Sequence, residues 1–407
     1  MRTSSISAVV ALVILAACRS SGSSSPRVVV GTIAVAAGGS GSCALGASGG
    51  LACWGLVPSG ASTDTIGIAL GATSVTAPAP FTFLAMGKTD LSSTGCGVSD
   101  AAQIYCWGAL ELDGTGQLAF GTGITALAGA SSASSVSIDQ GHLCVTRTDH
   151  AVRCYGAFSG GGRGTDSVDL STVNPDANLV ANGLSPAQSV FGTAQGRMFG
   201  CALRTDSLVA CWGTRHRGQL GGAIADSVQN CTGYAPQWCQ PGAALVTGGQ
   251  KYRQLSASFD HACAVRIGGT VDCWGRRPGA AAGAWETTGC TTAADCVQAP
   301  TAVTLPSAAV RVVVGREHAC ALLATGAAYC WGDNSSGQLG RPGGASTTPV
   351  AVNGGFVFIT LSAGTFHTCG IELGSGAIGC WGNNESGQLG DGTLVNKDRP
   401  VAVVAAE

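Results

Sequence analysis

Pairs of cysteines at a nearly constant spacing recur along the whole chain, and they constrain the fold more than any other feature. In six of the seven copies the second cysteine continues as Cys-Trp-Gly, and the third copy has Tyr155 in place of the tryptophan. The second cysteines recur every 48 to 62 residues, which predicts a repeat architecture and not a series of unrelated domains. The pairs are Cys43 with Cys53, Cys96 with Cys106, Cys144 with Cys154, Cys201 with Cys211, Cys263 with Cys273, Cys320 with Cys330 and Cys369 with Cys380.

The residues between paired cysteines predict a short β-hairpin in each copy. In CAVRIGGTVDCWG (263–275), for example, two apolar stretches flank a turn with two glycines. Opposed cysteines on neighbouring antiparallel strands have Cα atoms about 4.5 to 5.5 Å apart, within the range of a disulfide. We therefore expect one disulfide across each hairpin. Two further pairs, Cys231 with Cys239 and Cys290 with Cys296, account together with Cys18 for the remainder of the 19 cysteines.

Metal binding is the competing explanation for so many cysteines. Zinc sites favour two cysteines separated by two to four residues, and no C-x2-C occurs in this sequence. Four copies carry a histidine two residues before the first cysteine, but one histidine per repeat lies too far from the next to share an ion. No catalytic motif occurs in a suitable context, so we predict no metal ligand, no cofactor-binding residue, no catalytic residue and no enzyme. The histidines are His142, His261, His318 and His367.

Further strands are predicted on the N-terminal side of the hairpins. Three copies have an apolar lead-in with a glycine five positions before the first cysteine, as in RVVVGREHAC (311–320). Farther upstream, the later copies add another strand, at 299–305 and at 348–352. Four short antiparallel strands with a period near 50 residues are typical of a propeller blade.

The segments WGDNSSGQLG (331–340) and WGNNESGQLG (381–390) resemble the regulator of chromosome condensation repeat family. Partial matches lie at 211–222 and 114–122. The resemblance implies an all-β, seven-bladed propeller with four-stranded antiparallel blades. The paired cysteines of this chain are an addition typical of exported bacterial members of that family. Family members include an exchange factor for a small GTPase and a secreted β-lactamase inhibitor, so the fold serves protein docking through different loops.

The ring is predicted to close through the C-terminus. Alignment of the last copy on the first places Pro349–Val352 over Ser23–Pro26, where no strand is predicted, so the first blade lacks a strand. Arg399–Val404 matches the missing element. We expect these residues to pair into the first blade.

The N-terminal residues indicate export. An early arginine and an apolar run from Ala8 to Ala17, too short for a permanent membrane span, predict a signal peptide. Leu15–Cys18 resembles the bacterial lipobox, which implies lipidation of Cys18; an ordinary secretory signal is the alternative. Arg19 after the cysteine, by resemblance to enterobacterial lipoproteins, favours the outer membrane. The predicted boundaries are a signal peptide at 1–17, a Ser/Gly-rich tether at 18–27 and one propeller domain at 28–407.

Composition and the connecting segments limit the function. A net charge of -2 with 11% charged residues argues against nucleic acid as a partner. The cysteine-bearing connections place Tyr234, Trp238 and Trp285 in candidate binding loops, or are insertions locked against proteolysis. We expect a monomeric, lipid-anchored envelope module that binds an unidentified protein or glycan, touches the membrane only through its lipid and needs no cofactor. The alternatives are an envelope hydrolase or lyase with a site at the central opening, and a structural surface protein.

Overall fold

Every regular element in the described part of the chain is a β-strand. The computed structural model describes residues 31–58, 66–88, 94–111, 118–127, 131–139, 142–156, 190–195, 199–215, 217–222, 239–278 and 296–405.

These strands form seven antiparallel sheets, numbered here in chain order, and the chain is an all-β propeller. Six sheets have four strands, and sheet 3 has three within the described residues. Sheet 1 contains β1 (Thr32–Ala37), β2 (Gly41–Gly46), β3 (Leu51–Pro58) and β4 (Ile66–Val75); sheet 2 contains β5 (Phe81–Met86), β6 (Gly95–Ser99), β7 (Ile104–Glu111) and β8 (Leu118–Ala126); sheet 3 contains β9 (Ala133–Asp139), β10 (His142–Arg147) and β11 (Val152–Gly156). Sheet 4 contains β12 (Val190–Gln195), β13 (Phe199–Arg204), β14 (Val209–Thr214) and β15 (Cys239–Leu245); sheet 5 contains β16 (Tyr252–Ser258), β17 (His261–Arg266), β18 (Val271–Arg276) and β19 (Cys296–Val303); sheet 6 contains β20 (Ala309–Val314), β21 (His318–Leu323), β22 (Ala328–Gly332) and β23 (Ser346–Ala351); sheet 7 contains β24 (Phe358–Ala363), β25 (His367–Glu372), β26 (Ile378–Gly382) and β27 (Lys397–Ala402).

A disulfide crosses the central hairpin of each sheet. Cys263 lies opposite Cys273 in the strand register, and the pairing continues to Val265 and Val271 before a five-residue turn. In the last hairpin the two cysteines are separated by one more residue, and the turn between Ile371 and Ile378 has six residues. The Cα atoms of the bonded cysteines lie 4.0 to 4.1 Å apart, closer than the expected 4.5 to 5.5 Å.

The same register recurs in every hairpin, with the two bonded cysteines directly opposite each other on the second and third strands. In sheets 1 to 4 the bonds join Cys43 to Cys53, Cys96 to Cys106, Cys144 to Cys154 and Cys201 to Cys211. In sheets 5 to 7 they join Cys263 to Cys273, Cys320 to Cys330 and Cys369 to Cys380.

The structure corrects the assignment of the outer strands to blades. The strand predicted at 348–352 lies in β23, which pairs with β22 of the preceding hairpin through Cys330 and Val350. The strand at 299–305 likewise pairs with the preceding hairpin, Cys273 opposite Thr301. Each four-stranded sheet therefore begins with the strand that leads into its cysteine pair and ends with a strand after Cys-Trp-Gly.

The predicted pairing of the C-terminus into the first blade is wrong for the same reason. Sheet 1 is completed by its own β4, which the sequence did not reveal, and has no vacant position. β27 pairs with β26 through Val401 and Cys380, a partner only about twenty residues away, so the connection costs little loop entropy. The C-terminal residues still touch sheet 1, where Ala72 N donates to Val404 O at 2.7 Å and Ala72 forms an isolated parallel bridge with Ala405.

The Cys-Trp-Gly motif forms a β-bulge in the third strand of six sheets. The register shifts between the cysteine and the glycine, so the tryptophan is the extra residue, as at Trp381 between Cys380 and Gly382. Gly382 has a φ of 108°, a left-handed conformation that glycine adopts without steric penalty. The bulge turns the indole out of the strand ladder.

Each tryptophan packs against the sheet that precedes its own. Trp381 of sheet 7 lies in one apolar cluster with Leu322 and Cys330 of sheet 6. Trp54 of sheet 1 lies in a cluster with Ile378 of sheet 7. Among the described residues seven apolar clusters occur, one between each pair of consecutive sheets and one between the last sheet and the first, and six of them contain a tryptophan.

The antiparallel strand order gives every sheet two ends with different connections. The loop end carries the turns between first and second strands and the longer connections between third and fourth strands. The hairpin end carries the turns between the bonded cysteines and the passages to the next sheet.

Candidate functional site

In sheets 6 and 7 the glycine five positions before the first cysteine makes room for a buried histidine. A Cβ atom on Gly364 would lie 2.4 Å from His367 Cε1 and 2.3 Å from Gly38 O, and one on Gly315 would lie 2.2 Å from His318 Cε1. A side chain at either glycine would therefore clash.

Two of the histidines join neighbouring sheets, and burial favours the neutral form of both and of His261. A hydrogen bond of 2.7 Å joins His367 Nε2 to Ser42 Oγ, and one of 2.9 Å joins His318 Nε2 to Thr368 Oγ1. Burial lowers the pKa of His261, His318 and His367 to about 3. These side chains are structural at physiological pH.

The Gly-Gln-Leu-Gly segments bind the tryptophan of the following sheet. Gln338 O accepts a hydrogen bond from Trp381 Nε1 at 3.0 Å, and Gln219 O accepts one from Trp274 Nε1 at 3.0 Å. Gln388 O of the last sheet accepts the equivalent bond from Trp54 Nε1 of the first sheet at 2.9 Å. The family motif therefore acts as a contact between sheets.

The loop end of the central opening is crossed by one long side chain. Lys88 follows β5 of sheet 2, and its Nζ donates a hydrogen bond to Val314 O at the end of β20 in sheet 6. Its stem keeps some exposed surface, but protein surrounds the ammonium group, and burial lowers the pKa of Lys88 to about 8 against the opposing effect of Asp139. Lys88 thus bridges two non-consecutive sheets.

An arginine lies between two aromatic rings beside this bridge. The Arg316 guanidinium carbon is 4.4 Å from the centroid of Phe259 and 5.6 Å from that of Phe366, distances typical of cation–π contacts. Phe259 is buried, whereas Arg316 and Phe366 are partly exposed. The two rings hold the guanidinium between the turns of sheets 5 and 7.

Two ion pairs border the same surface. Arg276 Nη1 contacts Glu317 Oε1, and Arg217 Nε lies 3.6 Å from Asp260 Oδ2. Burial raises the pKa of Glu317, and the charge of Arg276 opposes this shift. Because Glu317 and Asp260 are each paired with an arginine, this surface is better suited to binding another molecule than to proton transfer by either acid.

A groove of about 410 Å³ lies between sheets 5 and 6, next to Arg276. Its lining includes Trp331, Pro278 and Pro349. The fifth copy has no Gly-Gln-Leu-Gly, and the connection that follows Pro278, residues 279–295, lies outside the described residues. The groove extends the loop-end surface toward the outer strands.

All four side chains predicted as binding or lipidation sites fall outside the described ranges. Cys18, Tyr234, Trp238 and Trp285 lie outside them, as do Cys231 and Cys290. Their predicted partners Cys239 and Cys296 begin β15 and β19, so both connections return to the sheets from the loop end. Within the described ranges, no three His, Cys, Asp or Glu side chains converge as a metal site. These ranges also hold no helix suited to spanning a membrane.

The contact of Arg316 with Phe259 and Phe366 was not predicted from the sequence, although the sequence contains a signal for it. Phe259 and Arg316 both stand four residues before the first cysteine of their copy, and Asp260, Glu317 and Phe366 stand three before it. Those positions form the turn between the first and second strands. Alignment of the copies therefore identifies the residues that meet at the loop end.

The fold and the repeated inter-sheet contacts define a β-propeller built from homologous repeats. Two models of the regulator of chromosome condensation (RCC1) repeat match residues 309–338 and 325–371. RCC1-like repeats are therefore present at residues 309–371.

Solved structures share this fold. Human WBSCR16 is 17% identical, with 82% of this chain and 85% of that chain covered and a TM-score of 0.65. Prp20p from Saccharomyces cerevisiae is 14% identical, with 91% and 76% covered and a TM-score of 0.50. At these identities the likeness shows the fold alone.

Proposed function

We propose that this protein is a non-enzymatic binding module of the cell envelope that docks a protein partner through its loop end. The observation that carries the proposal is the Arg316 side chain held between Phe259 and Phe366 on a surface with paired acids. Arginine and aromatic residues are enriched among the side chains that dominate protein interfaces. The structure of Prp20p is described together with its binding to Gsp1p and histones, a precedent for protein docking by this fold.

The proposed location outside the cytosol is supported by the disulfides. Seven hairpin disulfides indicate an oxidising environment. We propose the boundaries given above, with a signal peptide at 1–17, a tether at 18–27 and a lipid on Cys18. β1 begins at the hairpin end, so a lipid at Cys18 places that end toward the membrane and the loop end away from it.

The lipid proposal is tested by Cys18→Ser. The wild-type chain should partition into the detergent phase and take up labelled fatty acid, and the variant should do neither. Detergent partitioning that is the same in both would overturn the anchor.

We also propose that the seven sheets are the blades of one closed ring. Support comes from the last and first sheets, where Ala37 N donates to Ser362 Oγ at 2.9 Å, as Val314 N donates to Ser256 Oγ at 3.2 Å between sheets 5 and 6. If the ring is closed, Trp54→Phe and Trp381→Phe should lower the unfolding free energy equally, each by about 1 to 3 kcal/mol. A negligible effect of Trp54→Phe alone would contradict closure.

The docking proposal is tested by capture with the soluble chain from Ser20 to Glu407. Envelope and culture extracts are passed over wild type, Arg316→Glu, and a hairpin-end control, Arg204→Glu. We expect a saturable partner that Arg316→Glu loses and the control retains, with cross-links at the loop end. A partner equally retained by both variants, or cross-linked at the hairpin end, would refute this face.

A further inference from the structure

The centre of the propeller contains a cavity of about 340 Å³ that is lined by the first strand of all seven sheets. Small apolar residues and strand backbone form most of its wall. Lys88 crosses the cavity at the loop end, so access is from the hairpin end. The enclosed volume suits a molecule of roughly a dozen heavy atoms.

The charged side chains of this wall are all basic. Lys88 and Arg311 line the cavity, and no Asp or Glu does so among the described residues. Arg311 is the third residue of β20, on the approach from the hairpin end. The side chains that line the cavity therefore carry a net positive charge.

Arg311 differs from the other arginines near the centre of the molecule. Arg217 and Arg276 are ion-paired, whereas no ion pair or hydrogen bond involves the Arg311 guanidinium within the described part of the chain. The residue is solvent-exposed, yet burial lowers its pKa. Both observations fit a guanidinium that faces the inside of the cavity, where it contacts water but has protein around it. Water in the cavity replaces a counter-ion only in part.

The entrance beside Arg311 is apolar. A β-bulge at the second residue of β1 exposes Ile33 (54%), and Phe83 is 37% exposed; both residues line the cavity. A hydroxyl is available at the same level, because Thr360 is the third residue of β24, as Arg311 is of β20. Such an entrance accepts an apolar chain next to an anionic group.

We propose that the central cavity binds a small monocarboxylate with a short hydrocarbon chain. Its carboxylate pairs with the Arg311 guanidinium, which matches a carboxylate through two parallel hydrogen bonds. Its hydrocarbon chain contacts Ile33 and Phe83. The site is separate from the loop-end surface, so the docking proposal can fail while this one holds.

Hexanoate is the probe, with acetate and inorganic phosphate for comparison, titrated calorimetrically into the soluble chain from Ser20 at constant ionic strength. We expect hexanoate to bind at least about tenfold more tightly than acetate, since each buried methylene contributes about fourfold. Arg311→Gln should weaken hexanoate binding by about 20-fold or more, an effect typical of losing a charge-assisted pair. Arg341→Gln removes the same charge at an exposed position outside the cavity and should bind hexanoate as wild type does.

A second variant keeps the proposal testable if Arg311→Gln does not fold. Ile33→Glu places a carboxylate at the exposed bulge and should repel hexanoate while leaving the thermal melt near that of wild type. Three results would overturn the site: no saturable binding up to about 10 mM hexanoate, equal binding by wild type and Arg311→Gln, or tighter binding of phosphate than of hexanoate.

Discussion

Acidification from pH 7.5 to 5.5 should destabilise this protein through its buried histidines. The pKa of His261, His318 and His367 is about 3 in the folded chain and about 6.5 when unfolded. Because the folded pKa is the lower one, the unfolded chain binds protons that the folded chain excludes. The histidines therefore contribute their full stability above pH 6.5, and that stability is lost as the pH falls from 6.5 toward 3.

The magnitude follows from proton linkage. At pH 5.5 an unfolded histidine gains about 1.4 kcal/mol from protonation, and a histidine with a pKa of about 3 gains almost nothing. The three histidines together lower the unfolding free energy by about 4 kcal/mol, or about 5 °C in Tm for a chain of this size. Most carboxylates titrate below this window, so the histidines dominate the change.

The assay is chemical denaturation at both pH values for wild type and His261→Gln. His261 is the natural choice because its Nε2 has no hydrogen-bond partner within the described residues. The variant should lose about 3 kcal/mol over the same interval where wild type loses about 4 kcal/mol. A wild-type loss below about 1 kcal/mol, or an identical loss in both chains, would refute the assignment of neutral buried histidines.

Three further substitutions test the packing. Gly364→Ala should lower the unfolding free energy by about 2 kcal/mol or more in thermal melts, because its Cβ meets Gly38 O at 2.3 Å, whereas Gly268→Ala, with open space around it, should be neutral. Replacing Cys43 and Cys53 together by Ala should cost about 3 kcal/mol relative to oxidised wild type in denaturant titrations; no difference between the two would show that the link does not constrain the unfolded chain. Ser42→Ala should cost about 1 to 3 kcal/mol in denaturant titrations, because His367 Nε2 loses its partner across the joint between the last and first sheets, and a neutral result would contradict that contact.

Some tertiary contacts involve residues that the sequence already shows as repeated motifs. The glycine five positions before Cys320 was visible as a motif, but its reason is the imidazole of His318 packed on it. The tryptophan of Cys-Trp-Gly was likewise visible as a repeated motif. Its hydrogen bond to a Gly-Gln-Leu-Gly carbonyl required the coordinates, because the two segments lie in different repeats.

The hairpins and their disulfides were determined by the sequence alone, because the two strands are separated by only a few residues and an odd or even spacing sets the turn. The repeat period also determined a propeller. The sequence did not decide with which hairpin each outer strand pairs. Residues 348–352 lie between two hairpins, and pairing with either one satisfies their hydrophobic pattern. In the structure each outer strand pairs with the preceding hairpin, so sheet 1 is complete without the C-terminus. Only the tertiary structure brought Arg316 between two rings, Lys88 across the opening and Arg311 into the cavity, because these neighbours come from sheets far apart in the chain and nothing local encodes their meeting.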